Sequence, residues 1–92
     1  MKPIHPGRIL RRELAARKLS YNQLALKLRV PSGRIVGIAN GKRSITPETA
    51  LRLARYFGND AQFWMNLQSQ YELAVAEATF GKRIVAEVES AA

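Results

Sequence analysis

Arg29 and Arg34 bracket the dipeptide Val30-Pro31, and Lys42-Arg43 directly follow Asn40-Gly41. Ser20, Tyr21 and Ser32 place hydroxyls where the pattern starts helices. Cations and hydroxyls beside helix N-termini, whose backbone N–H groups lack partners, are suited to holding phosphate. The charge is unevenly spread. Residues 1–58 hold 13 Lys/Arg against Glu13 and Glu48, a net +11. Residues 59–92 hold Lys82 and Arg83 against Asp60, Glu72, Glu77, Glu87 and Glu89, a net −3. A basic first part fits a polyanion, with nucleic acid the first candidate, and a mildly acidic last part suggests a second surface for a different partner. Other chemistry finds little support. His5 is the single histidine and there is no cysteine. One histidine without clustered acids or thiolates does not make a metal site, so capping of the first helix is the expected role of His5. The acids after residue 58 lack the paired spacing of acid–base work, and Ser44 and Thr46 have no base in view. No Gly-rich phosphate loop is present. An enzyme is not expected, nor is a cofactor.

Positioning these groups requires helices. Residues 1–92 are expected to form a single all-α domain, with a DNA-binding part over 1–58 and an extension for dimerisation or partner contact over 59–92. Pro6 suits a first helical position, and Ile9, Leu10 and Leu14 give helix 1 an apolar stripe that ends near Arg17 and Lys18. Ser20 with Gln23 forms a capping box opening helix 2, whose buried face is Leu24, Ala25 and Leu28. Val30-Pro31 interrupts the pattern. Helix 3 starts at Pro31 or Ser32, turns Ile35, Ile38 and Ala39 inward, and stops at Asn40-Gly41. Thr46 caps helix 4, with Pro47 first and Ala50, Leu53, Ala54 and Phe57 inside. Asn59 or Asp60 caps a long fifth helix expected to end near Thr79, before Gly81. Phe80, Ile84, Val85 and Val88 suggest a last short element, helix or strand. No apolar run is long enough to cross a bilayer, so a soluble, cytoplasmic chain without a membrane partner is expected.

Two short helices joined by a tight turn and followed by a polar loop read as a helix-turn-helix, with the third helix in the major groove. At about 100° per residue, Gly33, Gly37 and Asn40 fall opposite Ile35 and Ile38. Two glycines on a surface face cost a helix roughly 1 kcal/mol each. Either they let its backbone sit deep in a groove, or they loosen the helix and DNA shape carries specificity. Under the first reading Ser32, Arg34 and Asn40 read bases and Val36 meets a thymine methyl. Phe63, Leu67 and Tyr71 recur every four residues with Trp64 alongside. They fit a core, yet so many large apolar groups on one helix also fit a dimer seam.

Several stretches resemble the HigA (VapI) antitoxins, a branch of the Xre/Cro helix-turn-helix superfamily. They are His5-Pro6-Gly7-Arg8-Ile9-Leu10, Leu24-Ala25, Val30-Pro31, Asn40-Gly41-Lys42-Arg43, the run from Thr46 to Ala54, and Phe63-Trp64-Met65-Asn66-Leu67-Gln68. The resemblance implies a compact five-helix, lambda repressor-like domain with a long fifth helix and a short C-terminal element. It implies a homodimer that binds a palindromic operator in double-stranded DNA, represses its own operon, and neutralises a RelE-like, mRNA-cleaving HigB toxin. Ser32, Gly33, Arg34, Val36 and Gly37 would occupy the reading positions. Tyr21 would touch the DNA backbone where many relatives have glutamine, and Lys42 and Arg43 would form the following loop. Arg29 stands where a turn glycine is usual. A solitary Xre-type regulator without a toxin shares every one of these features except the partner. The acids within residues 60–89 are the first place to seek contact with a basic ribonuclease.

Overall fold

Proline at the first position of a helix gives up only an N–H that has no partner there, and both Pro6 and Pro47 occupy that place. The structure, a computed structural model, describes residues 2–92, and no strand occurs among them. Five helices follow one another: α1 (Pro6–Arg17), α2 (Tyr21–Leu28), α3 (Ser32–Ala39), α4 (Pro47–Phe57) and α5 (Ala61–Glu87). Three caps are those legible in the sequence, whereas Asp60 at the start of α5 makes no side-chain cap bond. His5 Nδ1 accepts the Gly7 N–H at 2.9 Å. Ser20 Oγ accepts from the Gln23 N–H at 3.1 Å while Gln23 Oε1 accepts the Ser20 N–H at 2.8 Å. Thr46 Oγ1 accepts from Thr49 N–H and starts α4.

Helices α1 and α2 end alike. Lys18 (φ 56°) and Arg29 (φ 57°) adopt left-handed backbone. The following N–H groups then turn back, Leu19 to the Leu14 carbonyl at 2.9 Å and Val30 to the Ala25 carbonyl at 3.0 Å. This Schellman closure stops each helix abruptly. In α2 it leaves Arg29, Val30 and Pro31 as the whole connection to α3.

The core is built from Leu10 and Leu14 of α1, Leu24 and Leu28 of α2, Ile35 and Ile38 of α3, Ile45, Leu53 of α4 and Trp64 of α5. α3 lies against α1 and α2, and α4 bridges α2 and α5. Among the glycines, Gly7 at the α1–α3 crossing has the least room for a side chain. A Cβ built on Gly7 would stand 1.9 Å from the Ile38 carbonyl oxygen and 3.0 Å from that of Ala39.

The C-terminal end corrects the sequence reading. No separate last element exists: α5 runs unbroken past Thr79 and through Gly81 to Glu87. Gly81 costs about 1 kcal/mol of helix propensity, too little to stop a helix whose neighbours Ala76, Ala78, Lys82 and Arg83 favour it. An Arg83–Glu87 pair at 3.8 Å spans the next turn. Only Trp64 and Gln68 of α5 are buried. Its second half is mostly exposed, and the molecule as a whole measures 49 × 22 × 21 Å. No helix among the described residues is long and apolar enough to cross a membrane.

Because a backbone oxygen blocks the space beside Gly7, Gly7→Ala must push α1 and α3 apart. We expect a loss of about 3 kcal/mol, at the upper end for overpacked sites. The urea midpoint should fall without a change in slope.

Candidate nucleic-acid interface

The outward face of α3 carries little bulk. Ser32, Gly33 and Asn40 are exposed, while Arg34, Val36 and Gly37 are half-buried. Pro31 stands at the N-cap and contributes no side-chain hydrogen bond, so the first N–H groups of α3 have no cap. The two glycines differ. Nothing lies within 4 Å of a Cβ placed on Gly33, whereas one on Gly37 would meet Arg43 Cβ at 3.2 Å and Cδ at 3.5 Å. Gly37 therefore leaves room for the Arg43 stem to cross α3. Gly33 leaves its backbone open to solvent.

The loop that carries Lys42 and Arg43 is fixed on several sides. Its Gly41 takes φ 75°, and the Lys42 N–H reaches back to the Gly37 carbonyl at 2.9 Å. Ile45 is sealed in the core. Its N–H donates to Gln68 Oε1 at 2.8 Å, and Gln68 Nε2 donates to Ser44 Oγ at 3.3 Å. Gln68 is only 2% exposed, so this clamp lies inside the protein. His5 closes the other side. Its ring touches Tyr71 edge-on at 4.8 Å and lies beside Gly41. Burial lowers the His5 pKa, and the Arg43 backbone opposes that in part.

Arg34 is not free. Its Nη1 donates to Glu48 Oε1 at 3.3 Å, and Arg52 Nη2 donates to Glu48 Oε2 at 3.2 Å. Arg52 Nη1 also donates to the Leu28 carbonyl at 2.9 Å. The Arg52 hydrogen bond, followed by the charges of Arg34 and Arg52, holds the Glu48 carboxyl below its ordinary value.

The remaining residues singled out in the sequence lie as follows. Ser20 is exposed and uses its oxygen lone pair to cap α2, which leaves its hydroxyl hydrogen available to an acceptor. Tyr21 is half-buried against the core. Of the expected seam residues, Trp64 is corrected. It is 0% exposed, and its Nε1 donates to Asn59 Oδ1 at 3.0 Å, so it is a core residue and has no surface to offer a second copy. Leu67 also packs on the core, and Tyr71 on His5. Phe63 remains 43% exposed. The larger open apolar stripe is further along, at Leu73, Phe80, Ile84 and Val88.

Glu48, Gln68 and the second role of His5 were missed in the sequence. Gln68 had a signal: it falls one helical turn after Trp64, on the buried stripe of α5. Glu48 had none beyond its place in the first turn of α4, since its partner on α3 is set by the tertiary fold.

The model of the helix-turn-helix family matches residues 10–64. Virulence-associated protein I of Dichelobacter nodosus is 53% identical over 78 residues, covering 84% of this chain and 72% of that protein. An addiction module antidote protein of a HigA family from Coxiella burnetii superposes with a TM-score of 0.95 at 50% identity, over 98% of this chain and 99% of its own. Pseudomonas aeruginosa antitoxin HigA, solved with the higBA promoter, does so with a TM-score of 0.96 at 47% identity, over 99% of this chain and all (100%) of its own.

Two outcomes follow from this geometry. Gly33→Ala adds a methyl to open solvent and should raise stability by roughly 1 kcal/mol of helix propensity. If the α3 backbone approaches DNA closely, that same methyl weakens promoter binding, and unchanged binding in a titration shows that it does not. The second outcome concerns His5, whose Nδ1 can accept the Gly7 N–H only while unprotonated. Its depressed folded pKa means that its contribution is complete above the unfolded value of 6.5 and is lost as pH falls below it. His5→Asn keeps a cap without titrating there. Urea melts between neutral and mildly acid pH should therefore lose less stability in His5→Asn than in the parent.

Proposed function

The chain belongs to the helix-turn-helix family, in its HigA branch, and we propose that it is the DNA-binding antitoxin of a toxin–antitoxin pair. In this reading it represses its own operon and neutralises a RelE-like, mRNA-cleaving toxin. The observation that carries the DNA half is the clamped loop. Lys42 and Arg43 follow the C-terminus of α3 on a segment fixed by Gln68 and Ile45, with His5 beside Gly41. Two cations held this way bind phosphate without first being ordered. The uncapped start of α3 then faces the groove with Ser32, Gly33 and Arg34, and Val36, Gly37 and Asn40 continue the contact. Ser20 and Tyr21 meet the backbone from the start of α2. The Pseudomonas HigA, nearly the same length and shape, was solved with promoter DNA.

The second half of α5 supports a homodimer. Leu73, Phe80 and Ile84, with Val88 just past the helix end, recur at helical spacing and lie exposed among the described residues. Burying that stripe against a second copy removes it from water, with Phe63 at the near end. A two-fold dimer presents two α3 helices to a palindromic operator about 34 Å apart. The acids Asp60, Glu72, Glu77, Glu87 and Glu89 all follow α4. They give that part of the surface a sign suited to a basic ribonuclease. Function in the cytoplasm is part of the same reading.

The test is direct. The protein should bind the duplex upstream of its own gene far more tightly than a scrambled duplex of equal composition. Affinity should fall with salt at a slope near −0.9 per neutralised phosphate. Co-expressed with the adjacent reading frame, it should co-purify with that product and restore growth. Equal affinity for both duplexes overturns the DNA reading. Promoter binding without co-purification or rescue leaves a solitary regulator.

A further inference from the structure

Arg34, Glu48, Arg52 and the last carbonyl of α2 form one continuous chain of contacts across three helices. It starts at Leu28, whose carbonyl accepts from Arg52 Nη1 at 2.9 Å. Arg52 is thereby pinned, and its Nε is buried without a partner. Its other terminal nitrogen fixes one oxygen of Glu48, and the second oxygen of Glu48 accepts from Arg34. The anchor therefore lies at Leu28 and the free end is Arg34, in the first turn of the reading helix.

How Arg34 is held matters more than that it is held. Only Nη1 is engaged by the protein, in a monodentate contact of 3.3 Å. A guanidinium carries five donors in a planar fork. With one corner tied, the edge made by Nε and Nη2 remains open, and two parallel N–H groups on one edge match the O6 and N7 acceptors of guanine. An untethered arginine in this position would be a mobile cation, equally served by any phosphate. A tethered one gains less from phosphate, because the Glu48 carboxylate stands beside it and repels the incoming anion, while a neutral base edge meets no such repulsion.

We propose that Glu48 is a specificity-determining residue, one that reads no base itself but orients Arg34 for bidentate contact with guanine and disfavours its capture by phosphate. Arg52 positions Glu48 from behind. The inference rests on the DNA-binding reading above, and adds to it which contact discriminates and what enforces it. It also explains an acid in the basic part of the chain, where only Glu13 and Glu48 oppose 13 cations.

The experiment compares the full-length parent, Glu48→Gln, Arg34→Ala and the double variant on two duplexes at one salt concentration. One duplex is the promoter of the protein's own gene and the other a scramble of it. Glu48 is exposed, so Gln should fold, and thermal melts followed by circular dichroism check this. In Glu48→Gln the affinity for the scramble should rise and the preference for the promoter should fall by roughly tenfold, the order expected of one bidentate base contact. In the Arg34→Ala background the same change should leave the preference where Arg34→Ala alone put it. Arg34→Lys, a point charge without a fork, should keep affinity and lose preference. Replacing promoter guanines one at a time by 7-deazaguanine should weaken the parent at one position per half-site and leave Glu48→Gln insensitive there. A parent without promoter preference overturns the DNA reading and this inference with it. A parent that prefers its promoter, beside a Glu48→Gln protein with the same preference, overturns the inference alone. So does an equal loss in the Arg34→Ala background, which would place the effect of Glu48 elsewhere in α4.

Discussion

Where α1 crosses α3, a hydrogen atom stands in place of a side chain. Gly7 brings its backbone against the carbonyl groups of Ile38 and Ala39, at the end of α3. The consequence is larger than one contact. α3 has eight residues, two of them glycines, and no side-chain cap. A helix so short has no stability of its own in water, since the nucleation cost outweighs what a few turns return. It persists because Ile35, Ile38 and Ala39 are buried between α1 and α2. Its direction is therefore the direction that α1 permits. Gly7 makes that direction possible, although it is far in sequence from every residue that would touch a ligand.

Apolar burial fixes the helices, but polar groups fix the loop after α3. Gln68 satisfies the Ile45 N–H, which would otherwise face the interior alone. A buried N–H left without a partner costs about 1–3 kcal/mol. Gln68 thus does more than hold Ile45 in place. It makes the alternative arrangements of the Ser44–Ile45 segment expensive, and the display of Lys42 and Arg43 follows from that exclusion. α5 is at once a core element through Trp64 and a loop clamp through Gln68, one turn apart.

What could be read from the sequence follows the range of the interactions. Caps are local: Ser20 and Gln23 are three residues apart, Thr46 and Thr49 likewise, and Pro6 and Pro47 mark helix starts by their own chemistry. All were legible. The family resemblance was legible as well, because its motifs are runs of adjacent residues, and the family match bears it out. The contacts Gly7–Ile38, Gln68–Ile45 and Arg34–Glu48 join residues far apart in the chain, and no periodicity encodes them. Two positions turn on neighbours that residue type alone does not show: Gly81 suggests a stop, and Trp64 fits both a core and a dimer seam. For Gly81 the surrounding helix formers outweighed the glycine. For Trp64 the body of the protein had room for an indole and Asn59 to accept its N–H.

The two left-handed residues carry a last consequence. Lys18 and Arg29 adopt a conformation that glycine takes freely and other residues take at a cost of roughly 1–2 kcal/mol. At Arg29 a glycine would relax the joint between α2 and α3, and the protein would melt at a higher temperature. It would also surrender a cation just ahead of α3. Raising thermal stability and keeping a positive charge at this joint thus make opposite demands on the same residue.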